Sequence, residues 1–550
     1  MTTNNKKHLI LRWVSGGILS VLLVLTAGCA EDFLEEDAPN IIVAENLFTN
    51  TAGFEAALNG LYHEVRKERM GSTGQNETSA GDIRFSLMVN GTDNVFALNP
   101  GPSERVTNEF IQNNPENAYI ERIFNWLYRT VNAANTIIDR ADNPDIDWTE
   151  AEKNQVLAEA RTIRAWAYRH LTYLWGDVPL NMTESSGASI KTDWERASVE
   201  TIYQAMEEDW LFAEQHLPVE VASSGRVSQA VAQHYLAELY ILMNRPAEAE
   251  AKAQAVIDGP YQLITERYGV RADQAGVPFM DQFYDGNVLR SQGNTEVLWA
   301  ILQENLVDNP DQGRNIMRRY FVGFYRLING IELSVDRGGR GIGRLAPTNW
   351  GINVYDAADD RGSWYAISRG YIYTEANGDV PPEGASFGDT VFTEVIPEPD
   401  ITNANRTRYP HSRKWEWADP NNIVLNEQFG DQPYLRLADT YLLRAEAQIA
   451  QDKAAEAAES INVVRRRAGV GDITAADATI DFLLDERSRE LLCEEQRRYA
   501  LIRNNRLLER VRAYNPIAGP VIAERDRRFP IPQSVIDANL TSEMRQNGGY

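Results

Sequence analysis

A mainly α-helical solenoid, interrupted by an irregular, loop-rich α/β insertion, is the fold this sequence predicts. Three observations carry the prediction. Apolar residues recur every three or four positions in long stretches between Gly53 and Ala500, the period of an amphipathic helix. Two of these stretches, Ser228 to Met243 and the one opened by Pro246, are joined only through Asn244-Arg245. They make an antiparallel hairpin of about 31 residues, close to the ~34-residue tetratricopeptide unit. Residues 260–433 then change texture to Gly, Pro, Asn, Asp and aromatic residues with short strand-like runs, before a second hairpin begins at Tyr434. Length alone, 550 residues, suggests about three or four domains. A solenoid split by one long insertion is read instead as a single unit.

Taken in order, the chain opens with a targeting segment. Lys6, Lys7 and Arg12 precede an apolar run, Trp13 to Leu25, too short for the roughly 20 apolar residues of a membrane span. Ala27-Gly28-Cys29 after such a run resembles a bacterial lipobox, which makes Cys29 the expected lipidated N-terminus and residues 1–28 a signal peptide. The acidic stretch Glu31 to Asp37 resembles the signal that sends lipoproteins to the outer face of an outer membrane. Net charge is −25, and removal of residues 1–28 takes away three positive charges and no acids, leaving the mature chain near −28. Such a chain disfavours nucleic acid and anionic membrane surfaces as partners. Cys29 and Cys493 are the two cysteines, so a lipidated Cys29 leaves no intrachain disulfide and no zinc or iron–sulfur ligand set. Cys493 is read as a small core residue.

The scaffold is expected over about 40–259 and 434–515. Gly53 to Arg69 is helical, with Ala56, Ala57, Leu61 and Val65 inward, and Gly71 to Gly81 is a loop. Ala118 to Arg140 is a strong helix. Gln155 to Leu180 carries the central one, with Leu157, Ala160, Ile163, Ala167, Leu171 and Leu174 on one face, Arg161, Arg164 and Tyr168 beside it, and a stop at Gly176 and Pro179. Ser198 caps a helix to His216. Beyond the insertion, Tyr434 to Ala450 and Lys453 to Ala468 form the second hairpin, and a further helix runs from Ile480 to about Ala500. Within the last stretch, about 525–550, Pro530 and Pro532 fix an extended segment that cannot be helical.

The order of residues says more than their periodicity. The central helix reads Glu159-Ala-Arg, Arg164-Ala-Trp-Ala-Tyr168, then Trp175-Gly-Asp-Val-Pro-Leu180. Further runs are Tyr355-Asp-x-x-Asp-Asp-Arg361, Arg436-Leu-Ala-Asp-Thr-Tyr-Leu-Leu-Arg-Ala-Glu-Ala, Ile461-Asn-x-Val-Arg-x-Arg-Ala-Gly469 and Glu486-Arg-x-Arg-Glu-Leu491. The chain ends Phe529-Pro-Ile-Pro, Asn539 and Gln546-Asn-Gly-Gly-Tyr550. Together with Cys29-x-x-Asp-Phe-Leu34, these resemble the SusD/RagB family of nutrient-binding outer-membrane lipoproteins. After Glu490-Leu491 that family often has a glycine and a tryptophan, where this chain has Glu494 to Tyr499. The resemblance implies a lipid-anchored protein at the cell surface that captures a nutrient, chiefly oligosaccharide, for a SusC-like TonB-dependent transporter. It implies no cofactor and no catalysis.

The residues themselves supply no enzyme constellation. His8, His63, His170, His216, His234 and His411 are scattered outside any zinc-hydrolase frame, and Gly339-Arg-Gly-Ile-Gly343 lacks a phosphate-binding context. Sugar binding needs flat aromatic faces with amide, carboxylate and guanidinium groups at the rim. Two loop regions offer them. The first holds Asp82, Asn94 and Phe96. The second holds Tyr320, Phe324, Tyr325, Arg344, Asn349, Trp350, Trp364, Tyr365, Tyr371 and Tyr373. Trp350 leads, because Pro347-Thr-Asn-Trp-Gly351 is a turn sequence that would present the ring. Arg337, Arg340, Arg344, Arg361 and Arg369 in so acidic a chain suggest uronate or sulfate groups on the ligand. A peptide-binding uptake lipoprotein and a surface glycoside hydrolase are the alternatives.

Overall fold

The computed structural model describes residues 47–70, 84–303, 316–395, 406–425 and 429–550. Cys29, the signal segment, the Gly71–Gly81 loop and Asp82 lie outside them. Helix α1 (Thr51–Arg66) is capped by Asn50, whose side chain accepts the Gly53 amide. Strand β1 (Val95–Ala97) follows, then α2 (Ala118–Arg140), with the predicted bounds and Asn117 as its cap. The central helix α3 spans Glu150–Trp175 and starts five residues before Gln155, because Thr149 and Glu152 close a reciprocal capping box. Helices α4 (Val199–His216), α5 (Gln229–Leu242) and α6 (Pro246–Ile257) complete the first half.

The insertion carries strands β2 (Val297–Ile301) and β3 (Leu345–Pro347), short helix α7 (Asn349–Asn353), and strands β4 (Gly370–Ile372) and β5 (Thr390–Phe392). The chain re-enters the scaffold through strand β6 (Gln432–Arg436), then α8 (Leu437–Ile449) and α9 (Ala454–Arg467). Tyr434 was expected to open a helix. It lies instead in β6, which pairs antiparallel with β2, and the helix begins three residues later. The expected helix to Ala500 is broken into α10 (Ile480–Leu491) and α11 (Arg497–Arg503), followed by α12 (Leu507–Tyr514). The break falls at Cys493, a buried non-glycine residue at φ 63°.

The solenoid is continuous in space although split in sequence. α2 packs on α3, α3 on α4, α4 on α5, α5 on α6, and α6 directly on α8. Arg444 Nη1 donates to Gln254 Oε1 at 2.6 Å and Gln448 Nε2 to Glu250 Oε1 at 2.9 Å across that junction. Trp126, Trp166, Trp175 and Trp210 are fully buried in the scaffold core. The insertion has its own core, containing Phe85, Val95, Met317, Tyr320, Phe321, Tyr325, Leu345, Tyr371, Trp415 and Cys493. Among the described residues, no helix is long and apolar enough to cross a membrane.

The motif segments meet one another. Arg361 bonds both Asp359 oxygens at 2.8 Å and reaches Glu486 at 2.7 Å and Glu490 at 3.2 Å, all with fully buried side chains. Arg436 joins Glu296 (2.6 Å), Glu490 (2.9 Å) and Glu494 (2.8 Å), and Arg467 joins Glu296 (2.9 Å) and Glu490. Glu494, in the segment that departs from the family pattern, thus belongs to this network and also takes Lys414. The network clamps the insertion to α9 and α10. At the other end, Phe529 N donates to Leu174 O (2.7 Å), Trp175 Nε1 to Pro530 O (2.9 Å), and Asn547 Nδ2 to Trp175 O (2.9 Å) and Phe529 O (2.7 Å). The C-terminal strap therefore closes over the end of α3.

Candidate functional site: an aromatic platform beside β1 and β3

β1 and β3 pair antiparallel with Phe96 opposite Ala346. Thr348 ends the pair: its N–H donates to Asn94 O (2.9 Å), its hydroxyl donates to Asp93 O (2.8 Å), and the same oxygen accepts the Gly351 N–H (3.1 Å). It thereby caps α7 and aims Asn349 and Trp350 away from the pair. Gly351 is required, since a Cβ there would sit 2.9 Å from Asn94 O.

Trp350 is half-buried and stacks on Tyr514 of α12, ring centroids 4.6 Å apart and planes 21° from parallel. Arg510 flanks the pair, its Cζ 4.9 Å from the Trp350 centroid and 5.2 Å from that of Tyr514. Arg510 is held in turn by Asp93 (2.7 Å) and Asp485 (2.6 Å), and Asp93 is also clasped by Arg497 (2.7 Å). Burial pushes the Asp93 pKa up, but the charges of Arg497 and Arg510 outweigh it and keep the carboxyl below its ordinary value. A buried carboxylate thus fixes the guanidinium that braces the aromatic pair. Asn349 Oδ1 accepts from the Tyr409 hydroxyl at 2.9 Å. Arg369 Nη2 bridges Ile352 O and Gly362 O, tying α7 to the turn that carries Trp364. Trp364 is half-buried edge-to-face with Phe392 (6.1 Å), and Tyr365 beside it is exposed.

Four expected contacts are inside the molecule and have no face for a ligand. Phe96 packs edge-on to Tyr409, Tyr320 and Tyr325 belong to the insertion core, and Asn94 Nδ2 donates to Ser488 Oγ. Phe96 lies on β1, all three residues of which are buried, and Tyr320 lies on the buried side of the short helix Met317–Phe321, which turns only Arg319 towards solvent. Phe324, Tyr371 and Tyr373 are buried likewise. Of the expected arginine group, Arg361 is in the buried network, Arg337 pairs with Asp379 (2.6 Å), Arg369 bonds carbonyls, and Arg340 reaches Val424 O. Arg344 remains at a surface, half-buried, with its Nη1 3.4 Å from Glu104. Tyr514 and Arg510 were missed, because nothing in an amphipathic helix 160 residues downstream points back to Trp350.

A further cavity of about 460 Å³ opens between α2, the segment after α3 and residues 534–544, with Tyr128, Trp194, Asn125 and Asn539 in its wall. It too offers aromatic faces and amides.

A model of the SusD family matches residues 295–550, and one described as starch-binding, associating with outer membrane, matches residues 32–241. SusD-like protein P2 of Formosa agariphila is 25% identical over 549 residues, covering 96% of this chain and 98% of that protein. SusD-like protein P25 of the same organism is 25% identical over 570 residues, with the same shares covered. Among solved structures, a laminarin-binding SusD-like protein superposes with TM-score 0.68 at 19% identity, covering 91% of this chain and 100% of that one. Surface glycan-binding protein A from Bacteroides thetaiotaomicron gives 0.67 at 18%, covering 91% and 99%. At such identities the likeness is one of fold.

Proposed function

Because this chain belongs to the SusD family, we propose that it captures an oligosaccharide at the cell surface and delivers it unaltered to a SusC-like TonB-dependent transporter. In this reading Cys29 carries the lipid that anchors it to the outer membrane. The observation that carries the ligand class is the Trp350–Tyr514 pair, a half-buried aromatic platform braced by the buried Arg510, with Asn349 at its rim. A pyranose ring presents an apolar face to such a surface and hydroxyls to such a rim. Relatives described as laminarin-binding and glycan-binding support the same class. Trp364 and Tyr365, tied to the platform through Arg369, extend it. The two carboxylates that hold Arg510 beside the platform, buried Asp93 and part-exposed Asp485, are both committed to arginines, which favours binding over hydrolysis. The protein then acts by holding and releasing its ligand, and bond cleavage falls to other proteins.

The test is calorimetric titration of the soluble chain from Ala30 to Tyr550 with neutral and acidic oligosaccharides and with peptides, followed by chromatography of the same samples. Binding of intact sugar that weakens by about 1–3 kcal/mol in Trp350→Ala supports the reading. A loss seen in Trp194→Ala instead would move the site to the cavity beside α2. Shortened sugars would mean an enzyme, and heat from peptides alone would mean a peptide carrier.

A further inference from the structure

Two guanidinium groups lie over Phe324, and the charge of a third is felt by one of them. Cζ of Arg406 lies 4.1 Å, and that of Arg326 4.6 Å, from the Phe324 ring centroid. Arg344 follows Gly343, where an added Cβ would lie 3.5 Å from Phe324 N and 3.6 Å from Gly323 Cα. Arg326 is exposed and the other two are half-buried, so the group opens to solvent.

Counter-charge is short. Among the described residues no carboxylate lies within 4 Å of Arg326 or Arg406. Glu104 is the acid that reaches the group, 3.4 Å from Arg344 Nη1, and it is nearly saturated: its Oε2 also accepts the Gly101 N–H (2.8 Å) and the Ser103 hydroxyl (3.0 Å). One carboxylate against three guanidiniums leaves local positive charge in a chain of net −25. Arg344 Nε is buried without a partner. Burial, then the charges of Arg344 and Arg326, hold the Arg406 pKa below its ordinary value, as expected of like charges gathered without an anion.

We propose that Arg326 and Arg406, lying over Phe324, form with Arg344 an anion subsite that takes a uronate carboxylate or a sulfate ester on the captured oligosaccharide. The proposal rests on the glycan reading above. Planar guanidinium forks bind carboxylate and sulfate oxygens in pairs, and a partly desolvated cluster holds them more tightly than a lone surface arginine does. The place fits one continuous ligand. Arg344 immediately precedes β3 and Trp350 lies just beyond it, so at most ~20 Å of chain separates them, within the span of a short oligosaccharide.

The variants follow from the pairing. Arg344→Gln would orphan the buried Glu104, so the test uses the double change R326Q/R406Q, which strands no acid among the described residues. An exposed cation outside the cluster, Arg545→Gln, controls for net charge. Circular dichroism and the unfolding midpoint without ligand verify the fold. Three probes are titrated at matched ionic strength: sodium sulfate and sodium glucuronate, an oligogalacturonate with its carboxyl-reduced form, and a sulfated oligosaccharide with its desulfated form. The expected result is saturable binding of at least one small anion, and a charged oligosaccharide bound about tenfold or more tighter than its neutralised form. That ratio collapses in R326Q/R406Q and persists in R545Q. The oligouronide and sulfated pairs tell which anion is read. Equal binding of charged and neutral forms, dependent on Trp350, overturns the anion subsite and leaves the glycan reading standing. Small-anion binding lost in R326Q/R406Q with no oligosaccharide bound supports the cationic cluster and overturns the glycan reading. No saturable anion binding and no charge preference overturns the subsite.

Discussion

Arg361 has a side chain with no solvent exposure and three carboxylates around it, Asp359, Glu486 and Glu490. Such a group is held by mutual dependence: removing one partner leaves the others buried and uncompensated. Arg361→Ala is therefore expected to lower stability by about 3–5 kcal/mol, read as a drop in the urea midpoint. Arg326→Gln, at an exposed arginine with no carboxylate partner among the described residues, is expected to leave the midpoint nearly unchanged. The contrast shows what a sequence hides at this scale. Arg361, Arg337 and Arg344 look alike in the chain, and an acidic average suggested that all were looking for an anion. The structure gives Arg361 and Arg337 internal carboxylates and leaves Arg344 beside two arginines from elsewhere in the insertion. Aromatic residues were equally ambiguous. Trp350 was expected on a turn that presents its ring, and the structure places it on the short helix α7, half-buried against Tyr514. Phe96 and Tyr325 were not legible, because ring counts carry no information about which side of a three-residue strand or a single helical turn faces water.

At the scale of elements, helices were legible wherever a long period met a capping residue, and hairpins wherever two periods met across a short joint. Their corners share one design. Asn244, Asp452 and Asn505 adopt φ of 55°, 58° and 54°, and in each the following amide reaches back five residues: Arg245 to Tyr240, Lys453 to Gln448 and Arg506 to Leu501. This is the left-handed C-terminal cap, for which glycine is the least strained residue and asparagine or aspartate the next. Asp452→Gly is expected to hold or raise stability by up to about 1 kcal/mol, while Asn244→Val lowers it by roughly 1–2 kcal/mol, both measured by chemical denaturation. Breaks of a different kind escaped the pattern. The turn at Cys493 contains no glycine or proline, and it exists because Glu494 and Lys414 meet in the buried network, a demand made by residues eighty positions away.

Across the whole molecule, the fold class and the split solenoid were readable, since stacking of α6 on α8 follows once each half-solenoid needs its exposed apolar face covered. The long-range charge network was readable only as motifs without a reason, and it now has one. The buried histidines give the molecule a pH response. His234 bonds Thr440 and faces Asp439, Glu238, Arg169 and Arg487. Burial, set against the attraction of Asp439 and Glu238, pushes its pKa down to about 4. His170, beside Tyr499, is lowered well below its ordinary value, first by burial and then by Arg169. Both are neutral in the fold, whereas the unfolded chain takes up protons near pH 6.5. Their contribution is therefore complete above that pH and is lost as pH falls towards the folded values. Between pH 7.5 and 5.5 each is expected to remove about 1 kcal/mol, and His234→Gln should flatten the fall of the urea midpoint across that window. Glu68, Glu159 and Asp209, whose pKa values burial raises, act in the opposite sense, gaining stability as pH falls through those raised values, so the histidine share is read from the difference between His234→Gln and the unaltered chain.

The strap over the end of α3 also works as a mechanical tie. Trp175 Nε1 and the carbonyls of Leu174 and Trp175 find their partners in Phe529, Pro530 and Asn547, more than 350 residues away in sequence. A pull that separates the two ends of the described chain therefore loads this joint, and α3 cannot peel from the scaffold until the strap has let go. A chain cut before Phe529 is expected to lose that latch and to be digested faster by protease than the uncut chain.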